Sequence, residues 1–181
     1  MKLANDAPLL ETKFCGLGED LALKDTTIEG YASLFGATDQ GGDVVRKGAY
    51  AKSLGASKGR TVKMLWQHDP TRPIGVWEEI REDGKGLYVR GRILTDVQDG
   101  REALALLEAG AIDGLSIGYR TVRAEKTAQG RDLHEIDLWE VSVVTFPMLP
   151  EARVQGAHDA SDALAQDLAE AFAAARQVME G

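Results

Sequence analysis

Three side chains that could carry out covalent chemistry together stand in separate parts of the sequence. Ser116 lies among small residues, His68 ends an apolar alternating segment, and Glu140 interrupts a strongly apolar one. A serine becomes a nucleophile when a histidine takes its proton, and a carboxylate can orient that histidine. Geometry, not chain order, defines such a triad. His68, Ser116 and Glu140 are therefore the predicted catalytic set.

Ser116 lies where a helical pattern gives way to alternation. Residues 99–109 carry apolar side chains at three- and four-residue spacing, and Gly110 supplies a helix stop. From 114 to 119 the period is two, which predicts a strand with Ser116 between two glycines on an almost bare face. We expect that bare face to leave room for a substrate backbone.

The letters around Ser116 also fit Gly-x-Ser-x-Gly, the nucleophile elbow of α/β-hydrolases. That motif needs a strand before the serine and a helix after it, whereas here the helix comes first. The chain is also short for that fold, so we reject the elbow. A strand with a tight bend and no chemistry is the alternative that this stretch alone leaves open.

His68 and Glu140 are each predicted to lie on an apolar strand face. Residues 62–68 alternate, so His68 shares a face with apolar side chains before an Asp-Pro pair ends the strand. Residues 138–147 predict another strand, on which a buried Glu140 would need a partner. The alternatives are a core histidine bonded to a backbone carbonyl and an edge glutamate in water.

The elements that must position these residues are mostly strands. Strands are predicted at 9–17 and 26–36, hairpins at 74–94 and 115–136, and a short helix near 49–54. The predicted fold class is mainly β with helices (α+β). A domain of this size can bury a core without a disulfide, and a single cysteine allows no internal one.

The composition of the chain disfavours several classes of partner and cofactor. A net charge of −8 disfavours nucleic acid, and no run approaches the roughly 18 apolar residues of a membrane span. Three histidines and one cysteine without His-Glu-x-x-His give weak support to zinc. Asp39 and Asp43 lack the spacing of a calcium loop and predict a turn. We therefore expect protein partners, a cytoplasmic location, and neither metal nor cofactor.

Several blocks in a consistent order resemble a known family over residues 26–154. The chain resembles the prohead proteases of tailed phages with the Hong Kong 97 type of capsid, and of gene-transfer agents derived from them. The matching blocks are Glu29-Gly30-Tyr31-Ala32, Asp39, Gly42-Asp43-Val44-Val45, Gly48-Ala49-Tyr50, Leu65-Trp66-Gln67-His68-Asp69, Ile74-Gly75, Gly86-Leu87-Tyr88-Val89, Gly114-Leu115-Ser116-Ile117-Gly118-Tyr119 and Leu138-Trp139-Glu140-Val141-Ser142-Val143-Val144-Thr145-Phe146-Pro147.

The resemblance implies a serine endopeptidase with an assemblin-like fold, a closed β-barrel surrounded by helices. It would act inside the immature prohead, in the bacterial host cytoplasm, on the scaffolding segment of the major capsid protein, on a scaffold protein, or on itself. His68 and Ser116 match the catalytic pair of the family. A homodimer is a candidate assembly. The protease domain is expected at 1–154 and an acidic, alanine-rich helix at 155–181.

Some questions stay open in the sequence. Glu140 is the preferred third member, but His134 is a rival because assemblin-like proteases use a second histidine, and Asp137 ranks third. The oxyanion donors could be backbone amides near Ser116 or an arginine such as Arg120. Two other functions also fit: a catalytically idle scaffold or assembly protein of the same fold, and a small serine esterase.

Overall fold

The computed structural model describes residues 11–15, 22–39, 41–55 and 61–145. The predicted helix at 155–181 lies outside these residues. The strands and helices are β1 (Glu11–Cys15), β2 (Ala22–Lys24), β3 (Thr27–Leu34), β4 (Asp43–Val45), α1 (Ala51–Gly55), β5 (Lys63–Trp66), β6 (Asp69–Glu82), β7 (Gly86–Ile93), α2 (Gln98–Glu108), β8 (Gly114–Lys126) and β9 (Arg131–Val144).

Strand β9 pairs with three other strands of the sheet. It pairs antiparallel with β8 along its length, and its other edge pairs in parallel with β4 at one end and β5 at the other. From β5 the sheet continues through β6, β7 and β3 to β2, while β8 continues to β1. The segment of β9 around Glu140 therefore lies between the strand that carries Ser116 and the strand that leads to His68.

The sheet is curled, because β3 contacts both β1 and β8 although its ladder partners are β2 and β7. This agrees with a mainly β fold. The expected closed barrel surrounded by helices is not established, since within the described residues no ladder joins β2 to β1 and only two helices occur. Neither of those helices is long and apolar enough to cross a membrane.

Alternating side chains of β8 and β9 build much of the core. Leu115, Ile117 and Tyr119 are buried on β8, and Val141 and Val143 are buried on β9. Helix α2 packs its buried face against β6 and β7. The helix–strand order around the serine, the hairpin β6–β7 and the hairpin β8–β9 confirm the sequence predictions.

The turn between β6 and β7 gives a testable pH dependence. The Asp83 carboxylate accepts hydrogen bonds from the Tyr31 hydroxyl, the Arg81 guanidinium, and the backbone N–H groups of Lys85 and Gly86. Led by the Tyr31 bond, these donors outweigh the effect of burial and lower the pKa of Asp83 to about 2. A depressed carboxylate pKa stabilises the fold above the unfolded value of about 3.9, and that contribution is lost as pH falls toward 2.

We expect Asp83→Asn to lower the free energy of unfolding by roughly 2 kcal/mol at neutral pH. The difference from wild type should shrink between about pH 4 and pH 2, where the wild-type carboxyl takes up its proton. Denaturant unfolding across this range measures both effects. Asp96→Asn, at an exposed carboxylate, is the control. A difference that stayed constant down to about pH 2 would contradict the assignment.

Candidate active site

The three predicted catalytic side chains meet around the imidazole of His68. Its Nε2 lies 2.7 Å from Ser116 Oγ, and its Nδ1 lies 2.5 Å from Glu140 Oε1. Ser116 and Ser142 face each other across β8 and β9, and Gly118 faces Glu140 in the same ladder. The structure thus brings together residues that are 48 and 72 positions apart in the chain.

The groups on the two sides of the imidazole suit the hydrogen bonds of one of its tautomers. Ser116 and Glu140 are buried, while the His68 side chain keeps 17% of its surface exposed. An ionised carboxylate at Glu140 only accepts hydrogen bonds, so beside it a neutral imidazole carries its proton on Nδ1 and accepts from the Ser116 hydroxyl through Nε2. This is the tautomer that a general base requires.

The sequence predicted that His68 ends the face of a strand, and this prediction is wrong. Strand β5 stops at Trp66, and Gln67 and His68 form a two-residue loop to β6, with φ of 52° and 61°. Two-residue hairpin loops of type I′ need positive φ at both positions and favour Asn-Gly, because other residues are strained there. The sequence prediction missed this hairpin because neither residue is a usual turn former.

Strand β9 holds this strained loop in place. Gln67 N–H donates to Val143 O at 3.0 Å, and His68 N–H donates to Ser142 Oγ at 3.1 Å. The Gln67 side chain donates to Thr145 Oγ1 at 2.5 Å and accepts from the Thr145 N–H at 3.3 Å. An unfavourable backbone persists where its surroundings over-determine it. The contacts to β9 and to Thr145, which directly follows it, supply that support and hold the loop that carries the imidazole.

Gly118, two residues after Ser116, makes room for Glu140 and not for a substrate backbone. A Cβ atom at Gly118 would clash with Glu140 Oε1 and would lie 2.7 Å from its carboxyl carbon. The expectation that this face is open is therefore wrong at Gly118, where the carboxylate fills the space. Ser116 itself lies within β8 and not at a strand-to-helix turn, which agrees with the rejection of the nucleophile elbow.

We expect Gly118→Ala to reduce activity far more than stability. The added methyl group must push away the flexible end of Glu140, which separates the carboxylate from His68 Nδ1. A displacement of about 1 Å can slow a catalysed reaction roughly a hundredfold, so a loss of about ten- to hundredfold is expected. Labelling of the serine by a fluorophosphonate probe measures it, beside a thermal melt. Gly84→Ala, where a Cβ meets nothing within 4 Å, should label at the wild-type rate.

The rival third members lie elsewhere. His134 precedes Glu140 by six residues on β9, which corresponds to about 20 Å, and its Nε2 lies 3.5 Å from Glu125 Oε1. Asp137 accepts a hydrogen bond from Trp139 Nε1. Arg120 and Asp137 line a cavity whose lining does not include His68, Ser116 or Glu140. The described structure therefore favours Glu140 over His134 and Asp137 as the partner of His68 Nδ1.

The two aspartates of the glycine-rich loop behave as turn and ion-pair residues. Asp39 Oδ1 accepts from the Asp43 N–H at 2.8 Å, and the Asp43 carboxylate binds the Arg131 guanidinium through both its oxygens. Arg131 also donates to Glu11, which joins the start of β1 to this cluster. These bonds agree with the predicted turn and connect β4 to β9.

Residues 18–167 match the family described as caudovirus prohead serine protease. The prohead protease of Enterobacteria phage HK97 is 36% identical over 148 residues, which cover 80% of this chain and 63% of that protein. A capsid polyprotein of Pseudomonas phage PAJU2 is 29% identical over 101 residues, which cover 51% of this chain and 15% of that protein. The chain thus spans less than two-thirds of the length of either relative.

A solved structure shares the fold. The bacteriophage T4 capsid assembly protease superposes with a TM-score of 0.64, covering 76% of this chain and 98% of that chain. The two sequences are 18% identical, so this likeness concerns the fold alone.

Proposed function

The chain belongs to the caudovirus prohead serine protease family, and from this premise we propose that it is a serine endopeptidase of capsid maturation. The observation that carries the proposal is the position of His68, with Ser116 Oγ 2.7 Å from one ring nitrogen and Glu140 Oε1 2.5 Å from the other. A hydroxyl, an imidazole and a carboxylate in this order are the parts of a serine nucleophile with its base and orienting group.

The proposed mechanism follows from these contacts. Neutral His68 takes the proton from Ser116 Oγ through Nε2 as the oxygen attacks the scissile carbonyl carbon. The imidazolium is stabilised by the Glu140 carboxylate at Nδ1. His68 then gives the proton to the leaving amine, which breaks the peptide bond and leaves an acyl-serine. Water, deprotonated by the same imidazole, hydrolyses this ester and restores Ser116.

The proposed substrate is the scaffolding segment of the major capsid protein or a separate scaffold protein, with the protease itself as a further substrate. The relative named as a prohead protease supports a substrate within the prohead. The proposed place of action is the interior of the immature prohead in the host cytoplasm. The proposed oligomeric state of the protease is a homodimer.

We also propose that residues 1–154 form the protease domain, that its sheet closes into an assemblin-like barrel surrounded by helices, and that 155–181 form a separate acidic helix. The contact of β3 with β1 supports closure. Truncation after residue 154 tests the division, since loss of cooperative melting in the shortened protein would show that the tail belongs to the core.

Co-expression with the phage's capsid precursor, followed by mass-spectrometric mapping of the fragments, tests the function. The wild-type protein should produce defined new termini in the precursor, and the Ser116→Ala protein should leave it intact. A precursor that survives co-expression with the folded wild-type protein would favour an idle assembly protein. Rapid hydrolysis of nitrophenyl esters with no cut in the precursor would instead favour an esterase.

A further inference from the structure

Ser142 connects two parts of the candidate active site that the triad leaves separate. Its hydroxyl donates to Glu140 Oε2 at 2.6 Å and accepts from the His68 backbone N–H at 3.1 Å. The other oxygen of Glu140 contacts His68 Nδ1. The three residues therefore form a closed ring of hydrogen bonds in which both the backbone and the imidazole of His68 are held.

This ring restricts the motions that could separate the carboxylate from the imidazole. Glu140 has several rotatable bonds, and a carboxylate held by one oxygen could turn away from His68. The second bond, from Ser142 to Oε2, holds the carboxylate in one orientation. The bond from His68 N–H to the same hydroxyl helps fix the strained loop that carries the ring. The Ser142 hydroxyl thus helps to position both residues of the His68–Glu140 contact.

The burial of Ser142 makes its hydrogen bonds important for the geometry of the site. The residue is fully buried, and it faces Ser116 on β8 and Leu65 on β5 in the two ladders. In a buried site bulk water does not replace a lost donor or acceptor, so the loss of either bond leaves its partner unsatisfied. The bonds of the ring join Ser142 to Glu140 and His68, so its effect on Ser116 would pass through these two residues.

We propose that Ser142 is a positioning residue that locks Glu140 and the His68 loop into the geometry needed for general-base catalysis. This inference rests on the proposed function, because it assigns Ser142 a role in activating Ser116. It predicts that removing the Ser142 hydroxyl lowers the reactivity of Ser116, and that the loss depends on the presence of the Glu140 carboxylate.

The test is a double-mutant cycle read by the rate of fluorophosphonate labelling of Ser116, which needs no knowledge of the natural substrate. Ser142→Ala should slow labelling about ten- to hundredfold in the wild-type background. In the Glu140→Gln background the same change should slow labelling by no more than about threefold, because the carboxylate it orients is already gone. A purely structural role would give equal factors in both backgrounds.

Ser33→Ala is the matched control. Ser33 is also a fully buried strand serine, but its hydroxyl has no hydrogen-bond partner among the described residues. This variant should label at the wild-type rate, and thermal melts should show that all variants are folded. If Ser142→Ala failed to fold, proton NMR of the wild-type and Glu140→Gln proteins would decide: the proposal requires a hydrogen-bonded Ser142 hydroxyl proton in wild type whose resonance shifts or vanishes in Glu140→Gln.

Equal labelling rates in wild type and Ser142→Ala would overturn the positioning role and leave the proposed function standing. Equal slowing by Ser142→Ala in the two Glu140 backgrounds would overturn it as well. An absence of labelling in the folded wild-type protein would count against the proposed function itself. The two failures are therefore distinguishable.

Discussion

Ser116→Ala is expected to reduce cleavage of the capsid precursor by about a thousandfold or more, since the proposed acyl-enzyme forms on the Ser116 oxygen. The change removes one buried hydroxyl whose contact with His68 Nε2 contributes roughly 0.5–1.5 kcal/mol to stability. The protein should therefore remain folded while its activity disappears. Quantitative mass spectrometry of the new precursor termini, beside a thermal melt, separates the two effects.

Two controls sharpen this result. The Ser33→Ala variant removes another buried hydroxyl and should process the precursor as wild type does. A fluorophosphonate should label wild type on the peptide that contains Ser116 and should not label the Ser116→Ala protein. Precursor cleavage at an undiminished rate by a folded Ser116→Ala protein would remove Ser116 from the mechanism.

Local sequence patterns predicted the strands of the site and the hairpin of β8 and β9, but not the pairing of β5 with β9. Alternation from 114 to 119 and from 138 onward indicated β8 and β9, and the turn near residue 130 indicated their hairpin. The parallel pairing of β5 with β9 joins residues far apart in the chain, such as Met64 and Val141, and nothing within either strand encodes it. That pairing brings His68 beside Glu140. Residue types and the family resemblance therefore suggested the triad, and the predicted hairpin related the strands of Ser116 and Glu140, whereas no local pattern placed His68 beside them.

The two errors at the site have a common physical origin. The left-handed loop at Gln67 and His68 is unfavourable locally and is stabilised by bonds from β9, which a sequence window cannot contain. Gly118 looked like open space because its occupant, the Glu140 side chain, comes from another strand. The proposed role of Ser142 did have a local signal, because it lies two residues after Glu140 and therefore on the same face of a strand.

The choice between Glu140 and His134 as the third member is the second test with a large expected effect. Glu140→Gln keeps the size of the side chain but replaces one oxygen by an NH₂ group. Ser142 donates to the position of Oε2, so the amide oxygen should lie there and the NH₂ group should face His68 Nδ1. That arrangement favours the tautomer with its proton on Nε2, which cannot accept the proton of Ser116.

We therefore expect Glu140→Gln to lower kcat/KM for precursor cleavage by about a hundredfold or more, with little change in melting temperature. His134→Ala is the matched comparison: His134 lies about 20 Å along β9 from Glu140 and pairs with Glu125, so activity should stay within about threefold of wild type. Both variants are assayed on the same precursor under identical conditions. A large loss in His134→Ala with near-normal cleavage by Glu140→Gln would transfer the third role to His134, since the carboxylate beside His68 would then be dispensable for the chemistry.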